Sequence, residues 1–299
     1  MRRKVFLWGL LLLVALAAAG IWWTGWHDKP AALGPENRPA RNESRAVLLR
    51  SFFGNPQDYA EAFAGLDNSV GYPVRAGIVP HHFLAKRLIA EFFAGLGNTN
   101  AKTVIMIGPD HFQSLQGKNV LAATSLLGWE TPFGVVDADH DLGERLIAEP
   151  GVMEDNPLFF AEHSIYTEVP FLKKVLPNAN IIPLIISREA TAEKYVAFGQ
   201  RLRELAGDEV LLVVSSDFSH NLSVADAQRS DQKSMAVLQS LDSQNAAQVG
   251  CDCPACMGVL SGFLGKSKHT FRLLRNQSSN DFGSQDKTVT SYVSGYFEK

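Results

Sequence analysis

Apolar and polar positions along the chain sort into two alternating patterns. Short aliphatic, β-branched runs stop abruptly at polar residues, and stretches with apolar residues every three or four positions follow them. The run "VRAGIVP" (74–80) is the first. After it, Phe83, Leu84, Leu88, Ile89, Phe92 and Phe93 fall at helical spacing and predict a helix over about 83–97. "KTVIMIGPDH" (102–111), "ANIIPLIIS" (179–187) and "DEVLLVVSSDFSH" (208–220) read as further strands. "DADHDLGERLIAEP" (137–150) opens with Asp residues able to cap a helix and stops before Pro150. Helices are also predicted after Pro170, over 191–206 and over 223–241, while "CDCPACMGVLSGFLG" (251–265) turns into one with Pro254 in its first turn. Two closing strands are predicted in the tail, in "KHTFRLLRNQ" and "KTVTSYVSGYFEK". This alternation predicts an α/β fold: a single three-layer sandwich domain around a mostly parallel sheet, spanning 46–299.

The amino terminus breaks the pattern. After "MRRK", residues Val5 to Trp23 carry no charge, about the length a bilayer core requires. Small residues in "ALAAAG" offer a cleavage site for a secretory signal, whereas Trp22, Trp23 and Trp26 suit an uncleaved anchor at the interface. The expectation is a transmembrane signal anchor over 1–26 and a flexible Pro- and Gly-containing linker over 27–45. With Arg2, Arg3 and Lys4 on the cytoplasmic side, the protein would be single-pass and membrane-anchored. Its domain would then be extracytoplasmic, on the periplasmic side in a bacterium.

Composition adds little beyond confirming a chain able to build a core: 299 residues, 46% hydrophobic and 20% charged. A net charge of −3 gives no case for a nucleic-acid partner.

The candidate chemistry gathers where strands stop. His81 and His82 follow one run, Asp110 and His111 a second, and Asp217 and His220 a third. In a parallel sheet such ends share one side, so residues distant in sequence converge there. Each also has a plainer role: a hydrogen-bonded cap for the histidines, an Asx turn for Asp217, a helix start for His163 in "FFAEHS". His140 and His269 read as structural. Cys251, Cys253 and Cys256 lie within six residues, allowing one disulfide with a thiol left over. Cys253-Pro-Ala-Cys256 lacks the second pair a zinc ribbon needs, and other thioredoxin signals are missing. Two histidines plus a carboxylate such as Asp252 would suit non-haem Fe(II), whereas a thiolate would favour softer metals. "GFLGKS" fails as a phosphate loop because Leu260 stands where its first glycine belongs.

The segments "GIVPHH", "VIMIGPDHF", "EHSIYTEVPFL" with "IIPLII", and "VVSSDFSHNLS", in this order, resemble the Memo-like family, called AmmeMemoRadiSam system protein B in prokaryotes. The likeness runs over about 45–298. It implies a fold like that of the class III extradiol dioxygenases, with a metal at a strand-end pocket. His81 and His111 would be ligands, while Asp217, His220 and His163 would orient ligands or move protons. A family cysteine falls within 251–253, but counting back from Gly258 lands on Asp252 between two cysteines. The third ligand stays open among Cys253, Cys251 and Asp252. His82 departs from the family pattern and either serves as an acid–base group or caps the helix. The resemblance implies Fe(II), with copper or zinc as alternatives, and radical SAM and AMMECR-type companion proteins. The functions to weigh are an oxygenase acting on a small organic substrate, a non-enzymatic metal- or peptide-binding module, and a metal-dependent hydrolase.

Overall fold

A computed structural model describes residues 47–66, 70–265 and 269–298, all within one compact unit, Ala46–Lys299. The strands are β1 (Leu49–Arg50), β2 (Val74–Val79), β3 (Thr103–Pro109), β4 (Ala122–Thr124), β5 (Trp129–Thr131), β6 (Gly134–Val136), β7 (Val152–Glu154), β8 (Asn180–Ile186), β9 (Val210–Ser215), β10 (Thr270–Ser278) and β11 (Ser291–Glu298). The α-helices are α1 (Pro56–Phe63), α2 (Lys86–Gly95), α3 (His140–Ile147), α4 (His163–Tyr166), α5 (Val169–Val175), α6 (Ala192–Ala206), α7 (Val224–Gln239) and α8 (Pro254–Leu264).

Eight strands form one sheet in the order β10-β11-β2-β9-β3-β8-β4-β7, and β1, β5 and β6 form a small second one. The sheet is mostly parallel, with antiparallel pairs toward its flanks. β2, β9, β3 and β8 pair in parallel at its centre, but β10–β11, β11–β2 and β4–β8 are antiparallel. The reason is connection length: β10 and β11 are consecutive and joined by a short turn-rich segment, so the chain folds back instead of crossing over.

Alternation along the central strands divides the core. Ile105 and Ile107 of β3 face one side with Leu212 and Val214, under Leu202 of α6 and Leu260 and Phe263 of α8. Val104 and Met106 face the other with Val213, under Phe92 and Phe93 of α2 and Phe171 of α5. Each such side chain, fully buried, contributes roughly 1.5–3 kcal/mol relative to exposure. Two approaches depend on glycine. A Cβ on Gly77 would stand 2.5 Å from the Phe92 ring, so its absence lets α2 settle on the sheet. A Cβ on Gly199 of α6 would stand 2.0 Å from the carbonyl oxygen of Val259, so α6 and α8 meet backbone to backbone.

The expected membrane-spanning helix is corrected. Among the described residues no helix is long and apolar enough to cross a membrane. α7, with 16 residues, falls short of the roughly 20 a bilayer needs and carries charge along its length. The anchor expected over 1–26 and the linker over 27–45 lie outside the described residues. The membrane-anchored, extracytoplasmic placement that followed from that helix is withdrawn with it.

The order β2-β9-β3 has a direct consequence for chemistry. Three adjacent parallel strands end side by side, and the residues just beyond them are His81, Asp217 and His111.

Candidate metal centre

β2 ends at Val79, and Pro80 cannot extend its ladder, so the chain leaves the sheet at His81. The His81 backbone N–H donates to Asp217 Oδ1 at 3.1 Å, tying the ends of β2 and β9 together. Its ring is buried, with Nδ1 3.1 Å from Ser215 Oγ and Nε2 3.2 Å from Asp252 Oδ2. At the end of β3, Asp110 folds the following turn by accepting the backbone N–H groups of Ser114 and Leu115. That presents His111, whose Nδ1 lies 2.7 Å from Glu162 Oε1 and whose backbone N–H donates to Glu162 Oε2 at 3.0 Å. His163 opens α4, its ring stacked on that of His111 with centroids 4.1 Å apart. The His81 ring stands edge-on to both, at 5.0 Å and 5.1 Å. One ring nitrogen from each of His81, His111 and His163 lies within 4.8 Å of the others, a spacing one ion can bridge.

Asp252 completes the cluster from the loop before α8. Ser216 donates to its Oδ1 at 2.7 Å. Its Oδ2 is buried and accepts no hydrogen bond, although Nε2 atoms of His81, His111 and His220 surround it at 3.2, 3.5 and 3.9 Å. A buried carboxylate oxygen without a partner is costly. Facing imidazole nitrogens whose opposite ring atoms are already held, it is what a metal-ligating set looks like. The residues present therefore fit a cation.

The electrostatics agree. Burial works against a charge on His111, yet Asp252 and Glu162 outweigh it and push this imidazole up to about 9. His81 is likewise raised, since Asp217 and Asp252 overcome its burial. The Asp252 carboxyl is held well below its ordinary range, because His81 foremost among its neighbours outweighs desolvation. His163 goes the other way: burial, then the charges of His81 and His111, push it down to about 4, leaving a neutral ring with a free lone pair. Burial raises Asp217. Three carboxylates thus surround a cluster that welcomes positive charge.

The remaining sequence candidates are placed as follows. His220 is exposed at the mouth of the cluster, reaching only Asp252. His82 lines the cavity over the cluster, its Nδ1 2.7 Å from the Tyr292 hydroxyl. The sulfur of Cys253 is bonded to Cys256. Cys251 is free, its thiol pushed up to about 12 by burial and then by the Asp252 charge.

Three residues carry weight that sequence reasoning missed. Glu162 reads as the cap of α4 and does accept the Ser164 N–H, but the same carboxylate fixes His111. Tyr292 faces His82 from β11. Glu168 is fully buried with both carboxylate oxygens unpartnered, and burial raises it well above its ordinary value.

A cavity of about 660 Å³ opens over the cluster, walled by Phe53, Phe83, Leu84, Tyr166 and Thr167. Phe53 and Phe83 stack with centroids 3.7 Å apart.

Comparison with known proteins follows the same lines. A MEMO1 family protein of Pyrobaculum arsenaticum is 28% identical over 248 residues, covering 77% of this chain and 85% of that one. Another, from Methanothermobacter thermautotrophicus, is 27% identical over 204 residues, covering 64% and 72%. A crystal structure of an uncharacterised Escherichia coli K12 protein covers 74% of this chain and 99% of its own, at 13% identity and a TM-score of 0.49. The model of the Memo-like protein family matches residues 64–296, which takes in the ends of β2, β3 and β9, and the chain belongs to that family.

Proposed function

We propose that this protein binds one metal ion through His81, His111 and Asp252, with His163 beside them, and uses it to oxidise a small organic substrate. The observation that carries this reading is the buried, unpartnered Oδ2 of Asp252, faced by imidazoles whose far nitrogens are tied to Ser215 and Glu162. Two histidines and one carboxylate on one face suit non-haem iron(II), whereas His163 as a third imidazole would tilt the set toward zinc or copper. We take iron(II) as the resident metal. Such an ion supplies Lewis acidity and one-electron chemistry toward dioxygen.

The chain's own residues supply the rest. Glu162 locks the His111 ring and its tautomer. Asp217 holds the His81 backbone, so that the imidazole cannot swing away. His163, neutral down to about pH 4, is a proton acceptor at the floor of the cavity. Phe53, Phe83 and Tyr166 exclude water from a space sized for a small molecule.

The test is elemental analysis of untagged full-length protein, followed by oxygen uptake on a panel of small phenolic and catechol-like substrates. One equivalent of iron, lost in the His81→Ala, His111→Ala double variant and in Asp252→Ala, supports the site. Substrate-dependent oxygen uptake that disappears with the metal supports the reaction. Full occupancy in the double variant would overturn the ligand assignment. Bound metal without turnover on any substrate would leave a metal-binding module in place of an enzyme.

A further inference from the structure

A second cavity, of about 430 Å³, lies against the loop that carries Asp252. Tyr195 and Val196 of α6, Ala246, Pro254 and Cys253 give it a largely apolar lining, Asp252 and Gln244 also border it, and the exposed Arg188 is its one cationic lining residue. Cys253 is disulfide-bonded to Cys256 and is itself only 3% exposed; Cys256 is fully buried in α8 and does not line the cavity. Bulk thiols therefore have poor access to this bond, whereas a molecule seated in the cavity lies against Cys253. At the start of α8 the Cys253 sulfur also accepts the Cys256 backbone N–H at 3.3 Å.

We propose that Cys253–Cys256 is an exchangeable disulfide whose partner is a small thiol bearing a carboxylate, bound in this cavity. The apolar lining takes the body of the thiol and Arg188 its carboxylate. The incoming thiolate attacks Cys253 Sγ; a mixed disulfide forms, the bond to Cys256 breaks, and Cys256 leaves with the electron pair and takes up a proton. A second thiolate attacks the outer sulfur of the mixed disulfide and releases Cys253. Overall, two small thiols are oxidised to their disulfide and the protein disulfide is reduced to two thiols. Cys251 stays a thiol throughout. This inference does not depend on the metal centre.

Full-length protein is exposed to reduced glutathione, to cysteamine (a thiol without a carboxylate) or to reduced thioredoxin at matched thiolate concentration. It is then acid-quenched, alkylated and peptide-mapped. Glutathione is expected to open the disulfide about threefold faster than cysteamine, the scale of one exposed ion pair. The Arg188→Ala variant should lose that preference while its cysteamine rate stays unchanged. The glutathione adduct should map to Cys253 at short times in the unaltered protein, and also in Cys256→Ser treated with oxidised glutathione, which supplies the disulfide the variant lacks, so a folding defect in the variant does not decide the matter. A disulfide that resists glutathione at every ratio, equal rates for the two small thiols, or an adduct on Cys251 or Cys256 would overturn the proposal. Faster opening by thioredoxin than by glutathione would overturn the assignment of a small-molecule partner.

Discussion

Glu162 grips His111 twice, through Oε1 to the ring Nδ1 at 2.7 Å and through Oε2 to the backbone N–H at 3.0 Å. A carboxylate held this way fixes both the position and the tautomer of the imidazole, leaving Nε2 to face Asp252. Glu162→Gln keeps the shape but not the charge. Metal affinity is expected to fall about 10- to 100-fold by competition titration with a chelator, while the far-ultraviolet spectrum stays unchanged. Unaltered affinity would mean that His111 is not a ligand.

The metal-free protein should lose stability on the alkaline side. His111 is pushed up to about 9, above its ordinary 6.5, so its stabilising contribution is fully present below pH 6.5 and disappears as pH rises through about 9. Urea melts of chelator-treated protein should show this decline, and His111→Gln should flatten it. Metal uptake displaces the same proton, so calorimetry near pH 7.5 in two buffers of different ionisation enthalpy should register proton release.

Glu168 acts in the same direction for the opposite reason. Its folded value is raised, so the native state favours the neutral acid and loses stability as pH climbs above its ordinary 4.5. Glu168→Gln removes the charge that must be neutralised on folding. Its melting temperature should exceed that of the unaltered protein at pH 8 and approach it at pH 4. A variant less stable at pH 8 would mean that the carboxylate is ionised and usefully paired.

The crossing of α6 and α8 leaves no room for a side chain at Gly199, where a Cβ would meet the Val259 carbonyl at 2.0 Å. Gly199→Leu is expected to cost about 3 kcal/mol or more in urea denaturation, because the obstacle is backbone and cannot rotate aside. Because α8 begins at the Asp252 loop, metal affinity should fall with stability, whereas a substitution on the solvent face of α7 should change neither.

The strand ends that carry His81, His111 and Asp217 are legible in the sequence because each follows a mostly apolar run, and burial on both faces of a central strand demands such runs. β4, β5, β6 and β7 are not, since three residues apiece carry too little alternation to register. The antiparallel pairing of the two closing strands is not given by strand–helix alternation, because no α-helix lies between β10 and β11. Within the cluster, His163 reads as a helix start and is one. That its ring stacks on His111 depends on how α4 docks against β3, which no local pattern encodes. Among Cys251, Asp252 and Cys253, the sequence does not show that Cys256 takes the sulfur of Cys253 or that the carboxylate between the cysteines faces the imidazoles.

Asp252 reaches the histidines with its side chain, and its neighbour Cys253 walls a separate space. One dipeptide is therefore a shared hinge plate between the two proposed sites, Asp252 bordering both. Any displacement one imposes on it is felt by the other, and thermodynamic reciprocity makes the two influences equal in size: whatever factor the first lends to the second's affinity, the second returns.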